Sequence, residues 1–105
     1  MKSYTDLEQS KKLAEFLPPE SANMHYMHTY IDIIRLGKPY KETDIPAWSL
    51  VALLDILPYP HLEQNYKGKW YCRTEHVDTT YLWEADNPVD TCYEMILKLH
   101  EQKLL

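Results

Sequence analysis

The sequence predicts an α+β fold, in which three helices pack on one face of a small antiparallel sheet, a meander of about three strands. Three observations predict it. An apolar segment between Pro46 and Pro58 is typical of a buried helix. Residues 69–85 alternate polar and apolar residues around a turn, as a hairpin does. Segments near both ends of the chain begin with helix-capping residues. The length of 105 residues suits one domain, spanning residues 1–105.

The first helix is predicted from Thr5, whose position before Leu7 and Glu8 has the pattern of a capping box. Pro18 and Pro19 end it. Four residues at helical spacing form its apolar side: Leu7, Leu13, Ala14 and Leu17.

Residues 21–40 give the weakest pattern. Residues 24–30 have no helical stripe, whereas Tyr30 to Leu36 is rich in β-branched residues and is followed by Gly37. We expect an irregular segment with one strand over Tyr30 to Leu36. An amphipathic helix over Tyr26 to Leu36 is the alternative.

The segment from Thr43 to Pro60 predicts the central helix. Thr43 or Asp44 would cap it, Pro46 would occupy its first turn, and Pro58 would end it. Its apolar residues cover nearly the whole circumference, which is typical of a buried helix. At roughly 12 residues it is too short for a bilayer, which needs about 20. A partner-binding helix is the alternative to a core helix.

The predicted meander begins with a strand over Leu62 to Tyr66 and a turn at Lys67 and Gly68. Lys69 to His76 and Thr79 to Ala85 then pair in a hairpin, with Glu75 opposite Thr80 and Cys72 opposite Trp83. This register collects the more apolar side chains on one face, which should pack on the core: Trp70, Cys72, Thr74, Tyr81, Trp83 and Ala85.

The last helix is predicted to start at Asn87 as cap, with Pro88 in its first turn, and to end near Gln102 or Lys103. Asp90 lies at the positive end of the helix dipole. Its buried stripe comprises Val89, Cys92, Tyr93, Ile96, Leu97 and Leu99.

Composition excludes several functional classes. The net charge is −5, from 11 basic and 16 acidic residues, so we expect no nucleic-acid partner. The 2 glycines argue against a glycine-rich phosphate loop. No apolar run follows Met1, so we expect a cytoplasmic protein with both thiols reduced and no membrane contact.

Three segments have a recognisable order of residues. The first comprises Thr5, residues 8–11, Leu13, residues 21–22 and Met24; the second, residues 45–50, 53–54 and 57–58; the third, residues 87–90 and 94–96. Together they resemble an uncharacterised family of small proteins from prophages and mobile elements of gut Bacteroidales. The resemblance spans most of the chain and implies no particular activity. Ala47 stands where a cysteine is common in that family, which argues against chemistry that depends on a thiol there.

His25 and His28 are the most suggestive pair for chemistry, because their spacing on a helix would place both imidazoles on one face. Cys72, His76 or Cys92 could complete a zinc site. The local sequence is not convincingly helical, however, and both cysteines are predicted in the core, so we expect no metal, no cofactor and no catalytic residue.

Three further candidates have simpler structural explanations. Cys72 and His76 lie too far apart along one strand to form a catalytic dyad. Asp55, with Ser49 earlier on the central helix, is better explained as its solvent-facing edge than as a buried base. Aromatic residues of the hairpin could stack nucleic-acid bases but lack a basic surround: Trp70, Tyr71, Tyr81 and Trp83.

Two functional hypotheses follow. The first is a non-catalytic accessory protein of a mobile element, which binds an unknown protein partner or itself and has a contiguous exposed apolar patch. The alternative is a small metal-binding protein or enzyme using the His25/His28 region. A third, weaker hypothesis is an acidic inhibitor that occupies a nucleic-acid-binding surface.

Overall fold

The computed structural model describes residues 2–27, 33–39, 43–76 and 79–105, without the side chains of His76, Thr79 and Tyr81. These residues form an α+β domain with three α-helices and two three-stranded antiparallel sheets. In chain order the elements are α1 (Leu7–Ala14), a 3₁₀ turn (Pro19–Ser21), β1 (Met24–Tyr26), β2 (Ile34–Leu36), β3 (Ile45–Ala47), α2 (Leu50–Ile56), β4 (His61–Gln64), β5 (Trp70–His76), β6 (Thr79–Ala85) and α3 (Pro88–Glu101).

The first sheet, in the order β2-β1-β3, corrects the prediction of a single sheet. Tyr26 lies opposite Ile34 in one neighbour and Ile45 in the other. The predicted strand over Tyr30 to Leu36 is confirmed at its end, as β2, while residues 30–32 lie outside the described part. Met24–Tyr26, predicted to be irregular, forms β1, so this segment contributes two strands rather than one, and the alternative of a helix over Tyr26 to Leu36 is wrong at both of its described ends. Each strand has only three residues, too few to show an alternating pattern in the sequence.

The central helix starts later than predicted. Ser49 is its N-cap and accepts a hydrogen bond from the backbone N–H of Ala52, so the assignment of the cap to Thr43 or Asp44 is wrong. Pro46 belongs instead to β3, an edge strand of the first sheet, where its missing N–H need not break a ladder.

Helix α2 is buried on one side rather than all round. Leu53 and Leu57 are 0% and 4% exposed, whereas Val51 is 68% exposed. The central segment is therefore part of the core, as predicted, but Val51 and Asp55 face solvent. The reason is that α2 packs on α3 with one side, so only that side is removed from solvent.

The cap of α1 is one residue later than predicted. Asp6 and Gln9 form a reciprocal capping box, with the N–H of Gln9 donating to Asp6 Oδ1 at 2.8 Å and the N–H of Asp6 donating to Gln9 Oε1 at 3.1 Å. Thr5, the predicted cap, is buried, and its Oγ1 accepts the N–H of Trp48 at 3.1 Å. Leu13 is fully buried but Ala14 is exposed, so the predicted apolar stripe is only partly right.

The second sheet, in the order β4-β5-β6, is the predicted meander. Glu75 lies opposite Thr80 and Cys72 opposite Trp83, which confirms the predicted register. Cys72 and Thr74 are fully buried, so the face predicted to pack on the core does so.

Helix α3 covers the inner face of this sheet, packing on β5 and β6, while α2 packs on α3 and α1 packs on β3. Helices α1 and α3 thus pack on different sheets, and the prediction that all three helices pack on one face of a single sheet is wrong. Asn87 caps α3 as predicted, accepting from the N–H of Asp90 at 2.9 Å. The helix ends at Glu101, and Met95, left out of the predicted stripe, is fully buried. Within the described residues, no helix combines the length and apolar character needed to span a membrane.

Candidate interaction surface

His25 lies on β1 and is 5% exposed, with its Nδ1 at 2.9 Å from the carbonyl oxygen of Gly37. His28 lies outside the described residues, as does the side chain of His76. Within the described part, no three His, Cys, Asp or Glu side chains are grouped so that they could hold a metal ion. His25, the member of the predicted pair that the structure describes, is therefore a buried strand residue whose ring contacts the backbone.

Cys72 and Cys92 are both free thiols with 0% exposure. Cys72 lies on the central strand of the second sheet and Cys92 on α3, and both belong to the same buried core cluster. The interaction with the Cys72 sulfur, together with burial, raises the pKa of the Cys92 thiol well above its usual range, and the same interaction lowers the pKa of Cys72. Both thiols are therefore core groups, as predicted.

Asp55 is exposed on α2, which agrees with its interpretation as a solvent-facing edge. Ser49, the other polar residue of this segment, caps the helix. Asp55 lines an open depression of about 320 Å³ together with Glu20, Lys38 and Val51. One cation and two carboxylates here do not make a metal-type cluster.

A second polar cluster joins the two ends of the chain. Lys2 Nζ lies 3.0 Å from Asp6 and 2.8 Å from Asp90, and Gln9 also donates to Asp90 at 2.8 Å. Burial alone would raise the pKa of Asp90, but hydrogen bonds from Lys2, Gln9 and Asn87 outweigh it and lower the pKa. Each member of the cluster has a structural partner, so we interpret it as a clamp between α1 and α3.

The outward face of the second sheet has a different character. Because side chains alternate along a strand, the residues that do not face α3 all project from the opposite side. We call these residues the open face. It comprises His61 and Glu63 of β4, Tyr71, Arg73 and Glu75 of β5, and Thr80, Leu82 and Glu84 of β6.

The open face is largely accessible to solvent. Leu82 is 62% exposed, and the side chains of Glu63, Glu75 and Glu84 are also exposed. Among the elements that the structure describes, α3 packs on the inner side of β5 and β6, which leaves the other side uncovered. A solvent-facing sheet is common in antiparallel structures, and Leu82 is the strongly exposed apolar side chain on this one.

The strand register orders the open face into rows. In one row, Tyr71 lies between Glu63 and Glu84, and its hydroxyl donates to Glu63. In the next, Arg73 lies between His61 and Leu82. The face therefore carries three carboxylates around one guanidinium and one exposed leucine.

The guanidinium of Arg73 is not fully paired. Its Nε atom is buried and has no hydrogen-bond partner among the described residues. A buried donor without an acceptor costs about 1–3 kcal/mol, so the unpartnered Nε atom of Arg73 destabilises the folded protein. No sequence pattern indicates this, because the burial of a guanidinium atom depends on how neighbouring strands pack around it.

The predicted aromatic group is divided between the two faces. Trp70 and Trp83 belong to the inner face and Tyr71 to the open face. The side chain of Tyr81 is not among those that the structure describes. Trp83 is 38% exposed, at the rim of the sheet. The sheet thus separates these rings instead of presenting them as one stacking surface.

Comparisons with known proteins provide no relative. No family model, no curated protein and no solved structure matches this chain. The interpretation of the open face therefore depends on its own geometry and charge.

Proposed function

We propose that this protein is a non-catalytic accessory protein of a mobile element, and that it acts by binding a protein partner through the open face. The observation that carries the proposal is the uncovered side of the second sheet, with Leu82 62% exposed between charged neighbours. Leu82 with its charged neighbours has the arrangement of a small apolar centre in a polar rim, as interfaces have, although the described residues of this face do not form the contiguous apolar patch that the hypothesis predicted. The resemblance to small proteins of mobile elements supports the accessory role.

The charge of the open face favours a basic partner over a second copy. Glu63, Glu75 and Glu84 outnumber Arg73, the one permanently cationic residue of this set. If two copies met through this face, their carboxylates would face one another, which costs several kcal/mol. A partner with lysine or arginine side chains around an apolar pocket would instead match both the carboxylates and Leu82. The overall charge of −5 would also attract such a partner over a distance of about one Debye length.

The test compares one variant of Leu82 with one variant of Val51. L82E places a charge in the middle of the open face, and V51E does the same on α2, where Val51 is 68% exposed. Both proteins should fold like the wild type, because neither residue belongs to the core. A partner recovered from the native host with the wild type would then be purified, and its Kd measured by calorimetry for all three proteins.

We expect L82E to weaken binding at least 30-fold, corresponding to about 2 kcal/mol for a central interface residue. V51E should bind like the wild type, and E84K should weaken binding more than E20K, a charge reversal on the 3₁₀ turn. Raising the salt concentration should weaken the wild-type complex. Equal Kd values for L82E and wild type would contradict the proposal, as would a wild type that dimerises through this face in light scattering.

A further inference from the structure

Strand β6 lies at an edge of the second sheet, and the pairing of the sheet shows which of its backbone groups point away from β5. The N–H of Asn65 donates to the carbonyl oxygen of Lys69 at 2.8 Å, so these two residues form a hydrogen-bonded pair between β4 and β5. Hydrogen-bonded pairs recur at every second residue of an antiparallel ladder. The residues of β5 that alternate with this set, such as Cys72, therefore bond to β6, and Trp83 is the residue that Cys72 faces there.

The residues of β6 that alternate with Trp83 direct their backbone N–H and C=O groups away from the sheet. They are Thr80, Leu82 and Glu84. In the described ranges of the chain, no hydrogen bond reaches these backbone groups. The edge is also accessible, because all three side chains are exposed and even Trp83, on the inner face, is 38% exposed. Unpaired donors and acceptors in a row are a template for another strand.

Strand β6 lacks the features that usually block such an edge, which are proline, lysine, a bulge or a covering segment. It contains neither proline nor lysine, and its seven residues pair with β5 in one uninterrupted register. Strand β4, at the opposite edge, has four residues, directly follows Pro60 and directs only Leu62 and Gln64 outward. Of these two edges, β6 is therefore the better one for a further strand.

We propose that two copies of this protein pair through their β6 strands, in antiparallel orientation about a two-fold axis at Leu82. This register places Leu82 opposite Leu82 of the partner subunit, and Thr80 opposite Glu84 of the partner subunit. It uses every outward-directed residue of β6, and each opposed pair exchanges two backbone hydrogen bonds. A register centred on Glu84 would instead place two carboxylates opposite each other, which is destabilising.

The edge-paired dimer differs from a stack of two open faces. Stacking places the carboxylates of the two copies against one another, whereas pairing at the edge extends the sheet sideways and leaves both open faces uncovered. The two Leu82 side chains then lie on the same side of the joined sheet, with Cβ atoms about 5 Å apart. The dimer thus forms a larger apolar centre than one copy has, and it does not depend on the partner proposed above.

Proline substitutions test the backbone hydrogen bonds of the dimer. L82P removes an N–H that points away from β5, so the ladder within each copy keeps its bonds, and proline is tolerated at such positions of edge strands. T80P does the same and keeps Leu82. Each variant loses two bonds between the copies, so we expect the dimer Kd, measured by sedimentation equilibrium, to rise about 30-fold. L82V keeps the N–H and an apolar side chain, so its Kd should stay within about 3-fold of the wild type.

A cysteine at position 82 gives a test that does not depend on weakened binding. Opposed residues of a hydrogen-bonded pair have Cα atoms about 5.5 Å apart, within the range of disulfides. With oxidised glutathione, L82C should form a disulfide-linked dimer, whereas E63C, on β4, should give only a mixed disulfide with glutathione. The native Cys72 and Cys92 are fully buried and should stay reduced in both variants.

Salt and charge reversal separate this dimer from contacts through the open face. Each copy carries a charge of −5, so salt should tighten the dimer by screening repulsion, whereas it weakens a complex with a basic partner. E63K, on the open face, and E8K, on α1, should change the dimer Kd equally, because Glu63 and Glu8 both lie away from β6. The proposal is overturned if the wild type stays monomeric up to about 1 mM. It is also overturned if L82P and T80P dimerise like the wild type, if L82C cross-links no faster than E63C, or if E63K acts more strongly than E8K.

Discussion

The N-cap of the central helix gives the sharpest test of this structure, because the sequence pattern and the fold assign it to different residues. The pattern favours Thr43 or Asp44, whereas the structure assigns Ser49, whose Oγ accepts from the N–H of Ala52 at 3.3 Å. Replacing Ser49 with alanine removes that acceptor. Replacing Thr43, which is exposed and outside the helix, removes nothing that α2 uses.

The magnitude follows from the two hydrogen bonds that the Ser49 hydroxyl makes. Loss of a serine N-cap costs about 1 kcal/mol. The same hydroxyl also accepts from Asn23 Nδ2 at 2.6 Å, and loss of such a bond costs about 1 kcal/mol more. We therefore expect S49A to lower the free energy of unfolding by about 2 kcal/mol, and Tm by roughly 10 °C for a chain of this size. T43A should stay within about 0.5 kcal/mol of the wild type.

Urea unfolding followed by tryptophan fluorescence measures both variants, since Trp48 is fully buried next to Ser49. The m-value should not change, which would show that the native and unfolded surfaces are the same. A double-mutant cycle with N23A should give a coupling of about 0.5–1 kcal/mol between Asn23 and Ser49. If T43A cost as much as S49A, the helix would begin where the sequence pattern suggests, and the assignment of Pro46 to a strand would be wrong.

Two further predictions concern the core and the clamp between α1 and α3. L53A should lower the free energy of unfolding, measured in urea, by about 3–5 kcal/mol, because Leu53 is fully buried. V51A, on the exposed side of the same helix, should lower it by less than about 0.5 kcal/mol. Similar losses for the two variants would contradict the one-sided burial of α2. Because the pKa of Asp90 is lowered in the folded state, its stabilising effect is complete above about pH 4 and is lost as pH falls through the folded pKa. In D90N the loss of stability below pH 4 should be smaller than in the wild type. D55N, at an exposed carboxylate of α2, is the matched control. Equal acid profiles for D90N and the wild type would exclude the clamp.

Sequence patterns predicted the hairpin and the last helix correctly, and for a physical reason. In both, the information is local: cross-strand pairs only a few residues from a turn set the register, and Asn87, Pro88 and Asp90 define the start of a helix within four residues. Asp6 and Gln9 show the limit of this reasoning, because two overlapping capping patterns exist and tertiary contacts choose between them. Thr5 is needed by Trp48, more than forty residues away, and so leaves the cap to Asp6.

The sequence by itself determined an α+β protein with a central apolar segment, a meander of known register and two buried cysteines. Only the tertiary structure decided that Pro46 lies in a strand, that there are two sheets, and that Cys72 and Cys92 belong to one core cluster. The reason is that three-residue strands have no pattern of their own and exist only because β1 pairs with both β2 and β3. The open face depends on both the sequence and the tertiary structure. Alternation along β5 and β6 indicates which residues share this face, and the packing of α3 on the opposite side leaves it exposed.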